Sequence, residues 1–141
     1  MSSHERDDDK AAEQVIARFM KLPELSGTDA DLTRRGRFLT CDFEIGVDAT
    51  PLLVSVENGK VASVRRGPFL LKSTAFAVRA SADVWSKFLE PVPSAGWHDI
   101  LALTKVQRAR VEGNLMPFMG NLQYIKDLLA LPRSQPVGGT R

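Results

Sequence analysis

The chain has 141 residues, 43% of them hydrophobic and 26% charged, which is the length and composition of one ordinary globular domain. Its 19 Lys and Arg against 17 Asp and Glu leave a net charge of +2, too small a field to point to nucleic acid or to a membrane surface. A lone cysteine, Cys41, excludes an internal disulfide, and no run approaches the ~18 apolar residues that integral membrane insertion needs.

The first ten residues hold no apolar core of a signal peptide, so a soluble, cytoplasmic protein is expected. Residues 1–9 are polar and charged and read as a disordered N-terminus. Residues 10–132 read as a single domain, and residues 133–141, rich in Gly and Pro, as a flexible tail. Within the domain, Val15, Ile16, Phe19 and Met20 make one helical stripe, which Leu22 before Pro23 should end. Residues 23–37 read as a loop with a short helix over 29–35.

From Phe38 the apolar period changes to two. Leu39, Cys41, Phe43 and Ile45 alternate with polar neighbours, and Leu52, Val54 and Val56 do the same. Asn58-Gly59 predicts a tight hairpin turn, with Lys60–Arg66 returning from it. Thr74, Phe76 and Val78 mark a fourth strand over 72–80. These spacings make the first three strands an antiparallel meander. Ser81 is a good N-cap for a helix carrying Val84, Trp85, Phe88 and Leu89, which Pro91 stops. Trp97, Ile100, Leu101 and Leu103 suggest another short helix opened by Gly96. Ala109–Leu115 reads as a fifth strand, and a last helix should run from Pro117 to Leu131. Strands grouped ahead of helices argue an α+β fold, a mostly antiparallel five-stranded sheet covered by helices. The order is helix, four strands, two helices, strand, helix.

No catalytic motif is present: no nucleophile elbow, zinc-binding His pair or phosphate-cradling glycine loop. His98 with Asp99 could be a base and its orienter, with Cys41 as a distant nucleophile. Neighbours on a helix point about 100° apart, however, which disfavours that use. Cys41 then reads as a small core hydrophobe and His98 as a surface group. Two histidines and one thiol lack metal-ligand spacing, so no metal or cofactor is expected. The basic clusters at Arg34-Arg35-Arg37, Arg65-Arg66 and Lys105-Arg108-Arg110 lack interleaved aromatics, which argues against nucleic acid. What stands out is a surplus of bulky apolar side chains: Met20, Trp85, Phe88, Trp97, Met116, Phe118 and Met119. They are either plain core or the lining of a cavity, for which methionine is an adaptable wall.

Four stretches, FLTCDFEIG, PLLVSVENGKVASVRRG, STAFAVRASADVWSKFL and RVEGNLMPFMGNLQYIKDLLAL, resemble the sterol carrier protein 2 family in layout and pattern. The matching region runs from about Phe38 to Leu131. The Val-Glu-Gly-Asn-Leu element is similar to the family's closing strand, with Asn114 where Asp is usual. Lys72-Ser73-Thr74 stands where an acidic residue often opens the fourth strand. The resemblance implies a sheet and helices enclosing an apolar tunnel for a fatty acid, acyl-CoA or sterol-like lipid, with no catalysis by the domain. By position it implies a lining of Phe43, Ile45, Val54, Phe76 and Val78 from strands. Trp85, Phe88, Trp97, Ile100, Leu103, Phe118, Met119 and Leu122 would complete it from helices. A lipid head group would meet Arg65, Arg66, Lys105 or Arg108 at the rim. Two other readings stand beside this one. The first is an accessory interaction module, as a homodimer or an enzyme's partner, using the last helix's wide apolar arc through Tyr124 and Leu128. The second is a small-molecule enzyme using His98.

Overall fold

The computed structural model describes residues 3–68 and 74–134. Helix α1 (Ser3–Phe19) opens the chain and buries Val15, Ile16 and Phe19. Residues 3–9, expected to be disordered, are helical. Once the apolar stripe has nucleated a helix, each further residue adds a hydrogen bond at little cost. Met20 lies past the helix end and is partly exposed.

Helix α2 (Leu22–Gly27) occupies what the sequence suggests is loop. Pro23 sits in its first turn, where a missing N–H removes no intrahelical bond. The buried Ser26 fixes α2 to the sheet: its hydroxyl accepts the Val61 N–H at 3.0 Å and donates to the Pro23 carbonyl at 3.3 Å. Helix α3 (Ala30–Arg35) is the short helix expected there, capped by the Asp29 carboxylate, which accepts from Leu32 N at 3.0 Å.

The strands are β1 (Cys41–Val47), β2 (Thr50–Glu57), β3 (Lys60–Arg66), β4 (Phe76–Ala80) and β5 (Ala109–Gly113), in the spatial order β3-β2-β1-β4-β5. The meander β1-β2-β3 is antiparallel, as the turn chemistry requires, with Asn58 and Gly59 at φ 52° and 83°. Strand β4 then pairs parallel with β1 and antiparallel with β5. Between β3 and β4 the chain must therefore pass from the edge of the sheet to the far side of β1. Residues 38–40 precede the ladder rather than joining it: Leu39 N–H donates to Gly36 O at 2.8 Å, and Leu39 O accepts the Gly59 N–H at 3.1 Å. Residues 72 and 73, expected to open β4, lie outside the described residues.

Helix α4 (Ala82–Phe88) starts at the expected Ser81 cap, whose Oγ accepts from Val84 N at 3.1 Å. Helix α5 (Ile100–Lys105) begins later than Gly96, because Asp99 supplies the cap, accepting from Leu101 N at 2.9 Å. The last expected helix is two, α6 (Leu115–Gly120) and α7 (Leu122–Leu129). Asn121, at φ −126° and ψ 33°, breaks the run, and its side-chain amide donates to Pro117 O at 3.0 Å. A 3-10 turn, Leu131–Ser134, follows.

One sheet face, bearing Phe43, Ile45, Val54, Phe76 and Val78, meets the helices in a single apolar core. On the other face Arg79 bridges Glu44 of β1 and Glu112 of β5. Arg18 of α1 donates to Leu89 O and Pro132 O, each at 2.9 Å, and Arg133 donates to Phe88 O. Both ends of the domain therefore converge on the C-terminal end of α4.

Candidate functional site

Alternation along β1, β2 and β4 places Phe43, Ile45, Val54, Phe76 and Val78 on the helix-covered face, all buried. Phe43 stacks on Phe76 at 4.9 Å between centroids, and Phe118 of α6 meets Phe76 edge-on at 5.4 Å. A second aromatic group joins Phe19, Trp85 and Phe88 edge-to-face, at 5.1 and 5.5 Å. The Trp85 indole N–H donates to Gly46 O at 2.8 Å, so its polar edge is satisfied against β1. Ile100 and Leu103 of α5 are buried in the same core. Trp97 and Leu122 are half-buried.

Met119 differs from the other positions named from the sequence: it is 54% exposed, beside Leu115 at 46% and Met116 at 79%. Six residues make less than two turns, so α6 buries one anchor, Phe118, and turns its remaining large side chains outward. Leu115 and Met116 are the positions that sequence reading passes over as a surface. The signal was the width of the apolar arc, assigned instead to Tyr124 and Leu128. Those two are buried within the same chain, Tyr124 through a 2.6 Å hydrogen bond from its hydroxyl to Gly59 O. They cannot form the outward face assigned to them.

Helix α6 is bounded by Gly113, at φ +98°, and by the break at Asn121. A Cβ on Gly113 would come within 3.0 Å of Ala75 O, so the close approach of β4 excludes a side chain. Asn114, unusual beside its counterparts in the resembling family, serves as the cap of α6: its Oδ1 accepts from Met116 N at 3.1 Å. Three clefts lined by described residues, of about 290, 400 and 170 Å³, lie at the surface and are edged by charged and polar side chains.

The other sequence candidates do not assemble into a reactive centre among the described residues. Asp99 caps α5 and pairs with Lys126 at 3.1 Å. Partial burial opposes its ionisation, but the Leu101 N–H and Lys126 outweigh that and hold its carboxyl low. His98 is exposed, and its carbonyl accepts from Arg133. Burial, with Asp42 beside it, pushes the Cys41 thiol up, away from a reactive thiolate. Arg66 is engaged by both carboxylate oxygens of Glu13, at 2.9 and 2.6 Å. Arg108 lies over the Trp97 ring, 4.3 Å from its centroid. No helix among the described residues is long and apolar enough to cross a membrane.

Comparison with solved structures finds the same architecture. A sterol carrier protein 2 crystal structure superposes with a TM-score of 0.64 at 13% identity, over 86% of this chain and 95% of the other. The ubiquinone synthesis protein UbiJ-SCP2 gives 0.53 at 19% identity, over 82% and 88%. The sterol carrier protein domain 2 of Helicoverpa armigera gives 0.52 at 13% identity, over 82% and 87%. No family model matches the sequence, and no curated protein does.

Proposed function

From the premise that this chain has the sterol carrier protein 2 fold, we propose that it binds and carries an apolar small molecule without catalysing a reaction. The observation that carries this reading is the position of α6. A short helix with one buried anchor closes over the stacked Phe43 and Phe76, and its outer side chains are apolar. Displacing Phe118 from Phe76 would open the wall of the sheet to an acyl or isoprenoid chain. Phe43, Ile45, Val54, Phe76, Val78 and Phe118 would form the inner contact, and Met119 the entrance. Trp85, Phe88, Ile100, Leu103, Trp97 and Leu122 lie deeper or to the side, as further lining for a longer ligand. Burying ten methylenes contributes about 8 kcal/mol, against an association cost of roughly 4–15 kcal/mol. Micromolar binding, about 8 kcal/mol net, therefore needs more than ten buried methylenes, as a long-chain fatty acid, acyl-CoA or sterol-like molecule would supply.

The test is uptake of a fluorescent fatty acid, with mass spectrometry of lipid carried through purification. Saturable uptake that weakens in Phe118→Ala supports the reading. Absence of both uptake and co-purifying lipid overturns it.

A second reading, an accessory module, is favoured by the same exposed Leu115, Met116 and Met119, and by the ubiquinone synthesis protein among the similar structures. In that case the outer side of α6 docks on a protein partner or on a second copy. Leu115→Ser with Met116→Ser would then abolish association in light scattering while leaving lipid uptake intact.

A further inference from the structure

At the end of the sheet away from α6, a cleft of about 290 Å³ is lined by Asp48, Arg79, Ser81, Gln107, Arg108 and Arg110. The strand register sets Arg79 of β4 directly opposite Arg110 of β5. Like charges facing each other across a ladder are destabilising. Two carboxylates, Glu44 and Glu112, hold Arg79. Arg110 reaches only Glu112, at 3.4 Å, and its side chain is 71% exposed.

Arg108 is the less expected partner. Its guanidinium carbon stands 4.3 Å from the Trp97 ring centroid, and no acceptor among the described residues takes its N–H groups. Contact with the ring limits where the guanidinium can lie while its N–H groups stay available, and such a group recognises a phosphoryl group by paired hydrogen bonds. The only acidic residue lining the cleft, Asp48, already accepts the Ala82 N–H at 3.0 Å.

Gln107 adds a third observation. It ends α5 in the left-handed region, at φ 63°, with its own N–H donating to Thr104 O at 3.1 Å and the Arg108 N–H donating to Leu103 O at 2.9 Å. Glycine is the unstrained residue for such a helix end. Here an amide side chain stands in its place and lines the cleft.

We propose that this cleft binds a phosphoryl or diphosphoryl group, with Arg108 and Arg110 as the charged donors and Gln107 as a neutral one. Arg110 is the second residue of β5 and Arg108 stands just before the strand, and both line the cleft, an arrangement that suits two linked phosphoryl groups or two sides of one. The proposal rests on the cleft's own residues, none of which belongs to the inner apolar contact, while Trp97 beneath Arg108 would also be further lining for a longer ligand.

The experiment is calorimetric titration of the full chain with sodium pyrophosphate at constant ionic strength, comparing Arg108→Gln, Arg110→Gln and, as control, Arg65→Gln on β3. The expected result is saturable binding that weakens about tenfold or more in each cleft variant and stays unchanged in the control. Circular dichroism confirms that the exposed substitutions leave the fold intact. No saturable binding, or equal weakening in Arg65→Gln, overturns the proposal. Co-sedimentation with phosphatidylcholine vesicles, with and without phosphatidic acid, then separates the two sources. Capture by phosphatidic acid that pyrophosphate reverses identifies a lipid head group. Pyrophosphate binding without vesicle capture identifies a soluble phosphorylated ligand.

Discussion

Tyr124 ties three segments with one side chain. Its hydroxyl bonds Gly59 O at the β2–β3 turn, and its ring lies against Gly36, where a Cβ would come within 2.3 Å of Cε1. Gly36→Ala is therefore expected to cost about 1–3 kcal/mol through overpacking, read as a lower urea midpoint. Burial first, and the nearby Cys41 second, push the Tyr124 hydroxyl up to about 12, against about 10 for an ordinary phenol. The folded phenol keeps its proton where the unfolded one has lost it. Its contribution is full below pH ~10 and is lost as pH rises toward ~12. The stability advantage of the native protein over Tyr124→Phe should accordingly shrink between about pH 10 and about pH 12 in paired urea titrations. At Gln107 the direction reverses: Gln107→Gly relieves a left-handed side chain and should stabilise by about 1 kcal/mol in thermal unfolding.

The elements read from the sequence to different depths. The hairpin β2–β3 was legible because Asn58-Gly59 and two-residue alternation are local signals that agree. The parallel pairing of β1 with β4 was not, since which strands become neighbours is decided by a crossover and not by either strand's own pattern. The break at Asn121 was hidden because apolar spacing continues through it, and a side-chain bond to Pro117 O takes over at the interruption. The same hidden break explains Met119: its position in the stripe suited a single long helix, whereas on the short α6 it faces outward. The candidate lining on the strands was legible as one face of the sheet, because a period of two has only two faces to choose between. Met116→Ser with Met119→Ser should therefore change stability by less than about 0.5 kcal/mol, whereas Phe118→Ala should cost roughly 3–5 kcal/mol. Chemical denaturation distinguishes the two directly.

For the whole molecule, an apolar occupant and a charged one would act on opposite ends of β4 and β5. A ligand that binds only the folded state at 100 times its Kd adds about 2.7 kcal/mol. Thermal shifts from a short fatty acid held at the inner contact and from pyrophosphate should consequently add when both are present, because the inner contact and the cleft share no residue. Competition between them would instead place both in one site. The convergence of α1 and the segment after α7 on the end of α4 has a further consequence during synthesis. Arg18 leaves the ribosome early and finds Leu89 O when α4 forms, but its second acceptor, Pro132 O, and the Arg133 bond to Phe88 O come only with the residues after α7. A nascent chain halted at Leu129 would hold the five strands and α1 to α7 yet lack the bolt those residues supply, so the short segment after α7, rather than completion of the sheet, is what fastens α1 to the end of α4.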